Sequence, residues 1–182
     1  MKIKVIKTDI DDVLIFEPEK FIDKRGCLIE SFNQEFYSKY LPEINFVQEN
    51  ESLSSYGVLR GLHFQLPPFE QAKLVRVVKG EVQDIAVDIR PESKTYKKYI
   101  SVILNDSNKR QLYIPRGFAH AFLVLSKEAI VSYKMDNYFN LESSSGIKFD
   151  DLNLNINWKL NFEDIILSDK DKSLPYLINS QQ

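Results

Sequence analysis

The sequence predicts an all-β protein, folded as an antiparallel sandwich or barrel with little helix. Two observations carry that expectation. Short runs rich in Val, Ile, Tyr and Phe follow one another between residues 73 and 135, each closed by a turn signal. Between successive runs there is no room for the helical crossovers that a parallel α/β sheet requires. At 182 residues, 43% hydrophobic and 27% charged, the chain is expected to be one globular domain spanning 1–182 with a substantial core.

In chain order, residues 33–41 predict a short amphipathic helix, with Asn33 as its cap and Pro42 ending it. Strands are expected over 73–78, stopped at Lys79-Gly80, and over 82–89, stopped at Arg90-Pro91. Four more follow over 99–104, 111–114, 121–125 and 129–135. In the last, side-chain alternation puts Ala129, Val131, Tyr133 and Met135 on one face. The tail over 161–182 mixes Asp, Lys, Ser and Pro and predicts irregular structure or short turns.

Charge and cysteine content exclude several classes. A net charge of −2, from 24 basic and 26 acidic residues, does not suit a nucleic-acid binder, although a local basic patch would suit a small anion. The single cysteine, Cys27, allows no intrachain disulfide and no cysteine-cluster zinc site. The first residues lack the apolar run of a secretory signal, and no stretch has the length to cross a bilayer. The expectation is a soluble cytoplasmic protein without a membrane partner.

The chain has only two histidines, His63 and His120, each framed by apolar residues, a glycine and an arginine. Imidazole accepts and returns a proton near neutral pH, so similar frames suggest one pocket reached from two places. Residue by residue, blander roles remain open. His63 between Leu62 and Phe64 reads as a satisfied core histidine, and Tyr133 as a core tyrosine bonded to backbone. Lys73, opening a strand, reads as a solvated edge residue.

Gly61-x-His63-x-Gln65, followed by Lys73 and Gly80, resembles the first motif of the cupins, and Pro115-x-Gly117-x-x-His120 resembles the second. The gap from Gln65 to Lys73 is longer than in that pattern. Gln65 stands where metal cupins carry a second histidine, and Lys73 where they carry a glutamate. A neutral amide and a cation do not hold a divalent ion, so no metal is expected.

A longer, collinear series resembles the dTDP-4-dehydrorhamnose 3,5-epimerase family. It opens with Phe21-x-Asp23-x-Arg25-Gly26-x-x-x-Glu30-Ser31-Phe32 and Phe46-Val47-Gln48-x-Asn50. It continues through Gly57-Val58-Leu59-Arg60-Gly61-Leu62-His63-x-Gln65, Gln71-x-Lys73-Leu74-Val75 and Gly80-Glu81-Val82-x-Asp84. Val87-Asp88-Ile89-Arg90, Ile114-Pro115-x-Gly117-Phe118-Ala119-His120, Tyr133, Asn137-Tyr138 and Leu167-Ser168-x-Lys170-Asp171-x-x-x-Pro175 complete it.

The resemblance implies a cupin-like double-stranded β-helix, a jelly-roll barrel with short peripheral helices, pairing into homodimers through exchanged strands. It implies an enzyme without cofactor that inverts carbons beside the ketone of a nucleotide-diphosphate 4-keto-6-deoxy sugar, in surface-polysaccharide sugar biosynthesis. His63 matches the base, Asp171 the carboxylate that orients it, Tyr133 the opposing acid, and Lys73 the cation at the enolate oxygen, against its edge-residue reading. Asp84 is a second carboxylate suited to His63, and the sequence does not rank the two. Arg25 and Arg60 match phosphate or nucleotide contacts. Glu30, Gln48, Asn50, His120 and Lys170 match other ligand contacts, and Tyr138 an aromatic that stacks on the base.

Cys27, Ala121 and Ser144 depart from the family, which commonly has an aromatic, a glycine and a glutamate there, and Glu142 is an alternative match for the glutamate. These departures raise the expectation of a different ligand, such as a GDP-linked 4-keto hexose or heptose. Epimerisation at C3 or C5 alone and a non-catalytic sugar-binding module are the competing readings.

Overall fold

The structure, a computed structural model, describes residues 2–177, so the end of the tail, 178–182, lies outside the described residues. Two antiparallel sheets face each other. The six-stranded sheet runs β1 (Ile3–Lys7), β2 (Leu14–Pro18), β10 (Gln111–Ile114), β7 (Lys73–Lys79), β12 (Glu128–Met135), β5 (Gln48–Ser55). The five-stranded sheet runs β13 (Ser144–Gly146), β6 (Leu59–Gln65), β11 (Phe118–Val124), β8 (Glu81–Asp88), β9 (Tyr99–Asn105). A separate hairpin of β3 (Phe21–Asp23) and β4 (Gly26–Leu28) pairs with neither sheet. The expected all-β jelly roll is therefore the architecture found.

Three apolar layers explain the sequence pattern. Val75, Val77, Leu112 and Val131 of the first sheet meet Val82, Ala86, Leu104 and Phe122 of the second inside the barrel. The C-terminal segment coats the outside of the five-stranded sheet, setting Ile147, Phe149, Ile156 and Trp158 on Leu62, Ile85, Ala119 and Leu123. Gln83 staples this coat down, donating to the Asn157 carbonyl at 2.9 Å and accepting from the Lys159 amide at 2.8 Å. Both faces of β8 and β11 are thus covered, and nearly every residue of the two strands is buried. Truncating Leu123, which has no exposed surface, is expected to cost about 2–5 kcal/mol.

The outside of the six-stranded sheet is covered by Tyr37 and Leu41 on Phe16, Leu74 and Tyr113. Tyr37 belongs to α1 (Gln34–Tyr37), where the Asn33 side chain accepts from the Phe36 amide at 3.2 Å, the cap expected. The helix is shorter than 33–41 because its backbone bonding passes into turns that end at Leu41 before Pro42.

On β12, Ala129 and Val131 lie in the barrel core with Tyr133 packed against it, as alternation requires. Lys73 corrects the edge-residue reading. Its strand lies between β10 and β12, with Ile114 and Met135 as cross-strand neighbours, so the side chain is buried. Among the described residues, no helix is long and apolar enough to cross a membrane.

Candidate active site

On a regular strand Arg60 and His63, three residues apart, would point to opposite faces. A bulge prevents this, because β6 spends three residues between the partners of Phe122 and His120 where β11 spends two. Gly61 allows the close approach. Its φ is +135°, and a Cβ there would stand 2.4 Å from the Ala121 Cβ and 2.6 Å from the His120 carbonyl oxygen. Arg60 and His63 then line one cavity of about 560 Å³ together with Lys73, His120, Tyr133, Lys170 and Asp171. His63 and His120 come from the five-stranded sheet, Lys73 and Tyr133 from the facing one. An adjoining hollow of about 130 Å³ shares His63, Lys73, Tyr133 and Lys170 and adds Asn50, Phe139 and Ser144.

Each histidine has its own carboxylate. His63 Nε2 lies 2.5 Å from Asp171 Oδ1, whereas His120 Nε2 lies 3.0 and 3.1 Å from the two oxygens of Asp84. This ranks the two carboxylates that the sequence left open. Asp84 is opposite Phe122 in the β8–β11 register and points into the barrel beside His120. Asp171 comes from α2 (Asp169–Lys172), one turn in the tail, capped by Ser168, whose Oγ accepts from the Asp171 amide at 3.1 Å. The Ser-x-x-Asp spacing of Ser168 and Asp171 was a legible capping signal for this turn.

Electrostatics divide the site. Burial pushes Asp171 upward, but the His63 hydrogen bond and charge, Ser168 and Lys170 outweigh it and hold the carboxyl below its ordinary range. Burial lowers Lys73 to about 8, against the pull of Asp84. Burial also lowers His120 below its ordinary value, outweighing its bonds and attraction to Asp84. Arg60 and Lys170 are exposed cations at the cavity; Arg60 Nε donates to Ser54 Oγ at 3.0 Å and Lys170 Nζ to Ser144 Oγ at 3.2 Å. Ser144, a position read from the sequence as departing from the family, thus stands beside Lys170.

Other predicted ligand residues are more dispersed. Gln48 donates to Asn50 Oδ1 at 3.1 Å, and Asn50 donates to Tyr133 Oη at 3.4 Å. Glu30 accepts from Asn33 at 3.1 Å and does not line the cavity. Tyr138 is exposed in the loop after β12, next to Phe139, which does line the smaller hollow. Arg25 lies on the β3–β4 hairpin, with its side chain 83% exposed and its guanidinium paired to Asp23 at 2.6 Å. It is not brought to the His63 cavity within this chain.

Among the described residues, no cluster of three or more His, Cys, Asp or Glu is arranged to hold a metal ion. Gln65, at the cupin metal position, is buried, donating to the Phe69 carbonyl at 2.6 Å and accepting from the Asn140 amide at 2.7 Å. Ser52 and Phe139 line the site without having been singled out in the sequence.

The model of the family described as dTDP-4-dehydrorhamnose 3,5-epimerase matches residues 7–179. The dTDP-4-dehydrorhamnose 3,5-epimerase of Shigella flexneri is 52% identical over 168 residues, covering 92% of each chain. The crystal structure of dTDP-6-deoxy-D-glucose-3,5-epimerase from Legionella pneumophila, in complex with dTDP-4-keto-L-rhamnose, superposes with a TM-score of 0.95 at 44% identity, covering 98% of this chain and 95% of that one. The dTDP-4-dehydrorhamnose 3,5-epimerase from Bacillus anthracis, with TDP and PPi bound, gives a TM-score of 0.92 at 41% identity, covering 96% and 99%. Barrel and matches together define the class, the cupin-type carbohydrate epimerases. Within it, the chain belongs to the dTDP-4-dehydrorhamnose 3,5-epimerase family.

Proposed function

We propose that the chain inverts both carbons flanking the ketone of a dTDP-linked 4-keto-6-deoxy sugar, with His63 as base and Tyr133 as acid. The observation that carries this reading is the His63–Asp171 pair on one sheet side of the cavity and Tyr133 on the facing sheet. Asp171, held ionised, accepts the Nε2 proton, which leaves Nδ1 as the nitrogen that takes a proton. A carbon beside a ketone loses its proton because the electron pair moves onto the carbonyl oxygen. The Lys73 ammonium, largely charged at neutral pH, stabilises that oxygen. Tyr133 then gives its phenolic proton to the opposite face of the carbon, and proton exchange with solvent restores imidazole and phenol. Gln65 and Lys73 at the cupin metal positions suit this metal-free, cofactor-free route better than a bound ion.

Arg60 and Lys170 suit the diphosphate, guanidinium and ammonium being its natural partners. His120, Gln48, Asn50 and Glu30 complete the ligand surface and Tyr138 the stacking face. The position of Arg25 supports a homodimer. Its hairpin carries Phe21, Ile22 and Leu28 exposed beside it, an apolar surface suited to a second copy whose cavity Arg25 would enter. One chain of 182 residues is then one catalytic unit, completed by its partner. The exposed free thiol of Cys27 fits a cytoplasmic setting.

The test is NMR of a dTDP-4-keto-6-deoxy sugar incubated with the protein in deuterium oxide. Deuterium at both C3 and C5 with inverted configuration is the expected result. Label at one carbon alone would reduce the activity to a single-site epimerase. Binding without exchange would leave a sugar-binding module, and selective binding of a GDP-sugar would overturn the nucleotide.

A further inference from the structure

The inner face of β5 does more than meet a ligand. Gln48, Asn50, Ser52 and Ser54 are each less exposed than the residues that alternate with them, and Asn50 stands directly across from Tyr133 in the β12–β5 register. A chain of three hydrogen bonds runs along this row. The Phe139 amide donates to Gln48 Oε1 at 3.0 Å, Gln48 Nε2 to Asn50 Oδ1 at 3.1 Å, and Asn50 Nδ2 to Tyr133 Oη at 3.4 Å.

The direction of the chain is fixed at its far end. A backbone N–H only donates, so the Gln48 carbonyl oxygen must face Phe139 and its NH2 must face Asn50. The same constraint turns the Asn50 carbonyl toward Gln48 and its NH2 toward the phenol. Tyr133 oxygen is therefore an acceptor on the β5 side, which leaves its own proton for the cavity. When the phenol gives up that proton, the Asn50 donor meets a developing anion and its hydrogen bond strengthens. The 3.4 Å separation leaves room for that tightening.

We infer that Gln48 and Asn50 are positioning residues for Tyr133, holding its proton toward the substrate through a one-way hydrogen-bond relay anchored on the Phe139 amide. The inference rests on Tyr133 being the acid proposed above. It makes a prediction that neither a structural role nor simple ligand contact shares. Asn50→Asp is isosteric, but its carboxylate accepts the phenolic O–H and turns the proton away from the cavity. Asn50→Ala merely removes the donor. The carboxylate variant is thus the worse one.

The experiment follows a dTDP-4-keto-6-deoxy sugar in deuterium oxide, measuring solvent deuterium entering without inversion and inversion itself. Asn50→Ala is expected to slow inversion about tenfold and Asn50→Asp about a hundredfold, the range for a hydrogen bond to a charging group. At saturating substrate, exchange by His63, which takes a proton and returns a deuteron to the same face, should fall several-fold less than inversion, which reads the relay apart from any loss of ligand contact. Gln48→Glu, which keeps the acceptor for Phe139 but loses the donor to Asn50, should shift the same ratio less. It provides a second variant if Asn50→Asp does not fold.

A milder Asn50→Asp than Asn50→Ala, or exchange and inversion falling together with a raised KM, would overturn the relay. Tyr133→Phe separates the two levels. If it raises the ratio of exchange to inversion while the Asn50 and Gln48 variants do not, the relay alone is wrong. If Tyr133→Phe leaves that ratio unchanged, Tyr133 is not the acid and the inference falls with it.

Discussion

The two histidine–aspartate pairs of this barrel use the same chemical groups in opposite settings. His63 keeps 36% of its side chain exposed against a nearly buried Asp171, while His120 and Asp84 expose 7% and 0%. The first pair joins a barrel strand to a turn 108 residues later; the second joins two neighbouring strands, 36 residues apart. The exposed pair keeps an open face toward the cavity. The buried pair sits against Lys73 and fixes the floor of the cavity, with burial holding His120 below its ordinary pKa. What separates the proposed base from the other histidine is access, which the local sequence around each does not disclose.

The sharpest stress on this contrast is at Lys73, the cation beside the buried pair. Lys73→Met is expected to lower kcat about 100- to 1000-fold, the range for losing one oxyanion-stabilising group, with a smaller effect on nucleotide binding by calorimetry. An unaffected kcat would detach the buried group from the chemistry. In the unaltered protein, the activity should decline as pH rises through about 8, where Lys73 loses its charge. The stability effect has the opposite sign. Unfolded lysine stays protonated to about 10.5 while the folded group releases its proton near 8, so between these values the unfolded state binds more protons. This lysine alone therefore makes the fold more stable as pH rises through that window, and paired activity and denaturation profiles check both signs.

Asp171→Asn keeps an acceptor for His63 Nε2 but removes the charge that supports an imidazolium, and should lower exchange about tenfold to a hundredfold. Steady-state kinetics would show it in kcat more than in KM. The smallest effect is expected from Ser168→Ala. Loss of the cap should weaken the α2 turn by about 1 kcal/mol and reduce exchange only a few-fold, visible as faster amide hydrogen exchange at Asp171. A Ser168→Ala variant as damaged as Asp171→Asn would mean that the turn is held mainly by its cap.

Much of the barrel was legible because β7 to β12 are built from β-branched and aromatic runs with clear stops. β5 was not, since Gln48–Ser55 contains no β-branched or aromatic residue and is a strand because β12 recruits it as an edge. Lys73 looked like an edge residue because strand order, which makes β7 central, is a long-range property. The pairing of Asp84 with His120 and Asp171 with His63 is likewise set by register and by the path of the tail. The shared inner face of Arg60 and His63 depends on a bulge that spacing alone conceals. The collinear motifs named the site residues; topology decided which of them meet.

The most direct measurement of the contrast between the pairs is deuterium exchange in two variants, His63→Ala and His120→Ala, with the same dTDP-4-keto-6-deoxy sugar. His63→Ala is expected to suppress exchange at both C3 and C5 by at least about 100-fold with thermal stability nearly intact. His120→Ala is expected to retain exchange but lose about 1–3 kcal/mol of stability, because buried Asp84 loses its hydrogen-bond partner. Near-normal exchange in His63→Ala, or abolished exchange at unchanged stability in His120→Ala, would contradict this contrast.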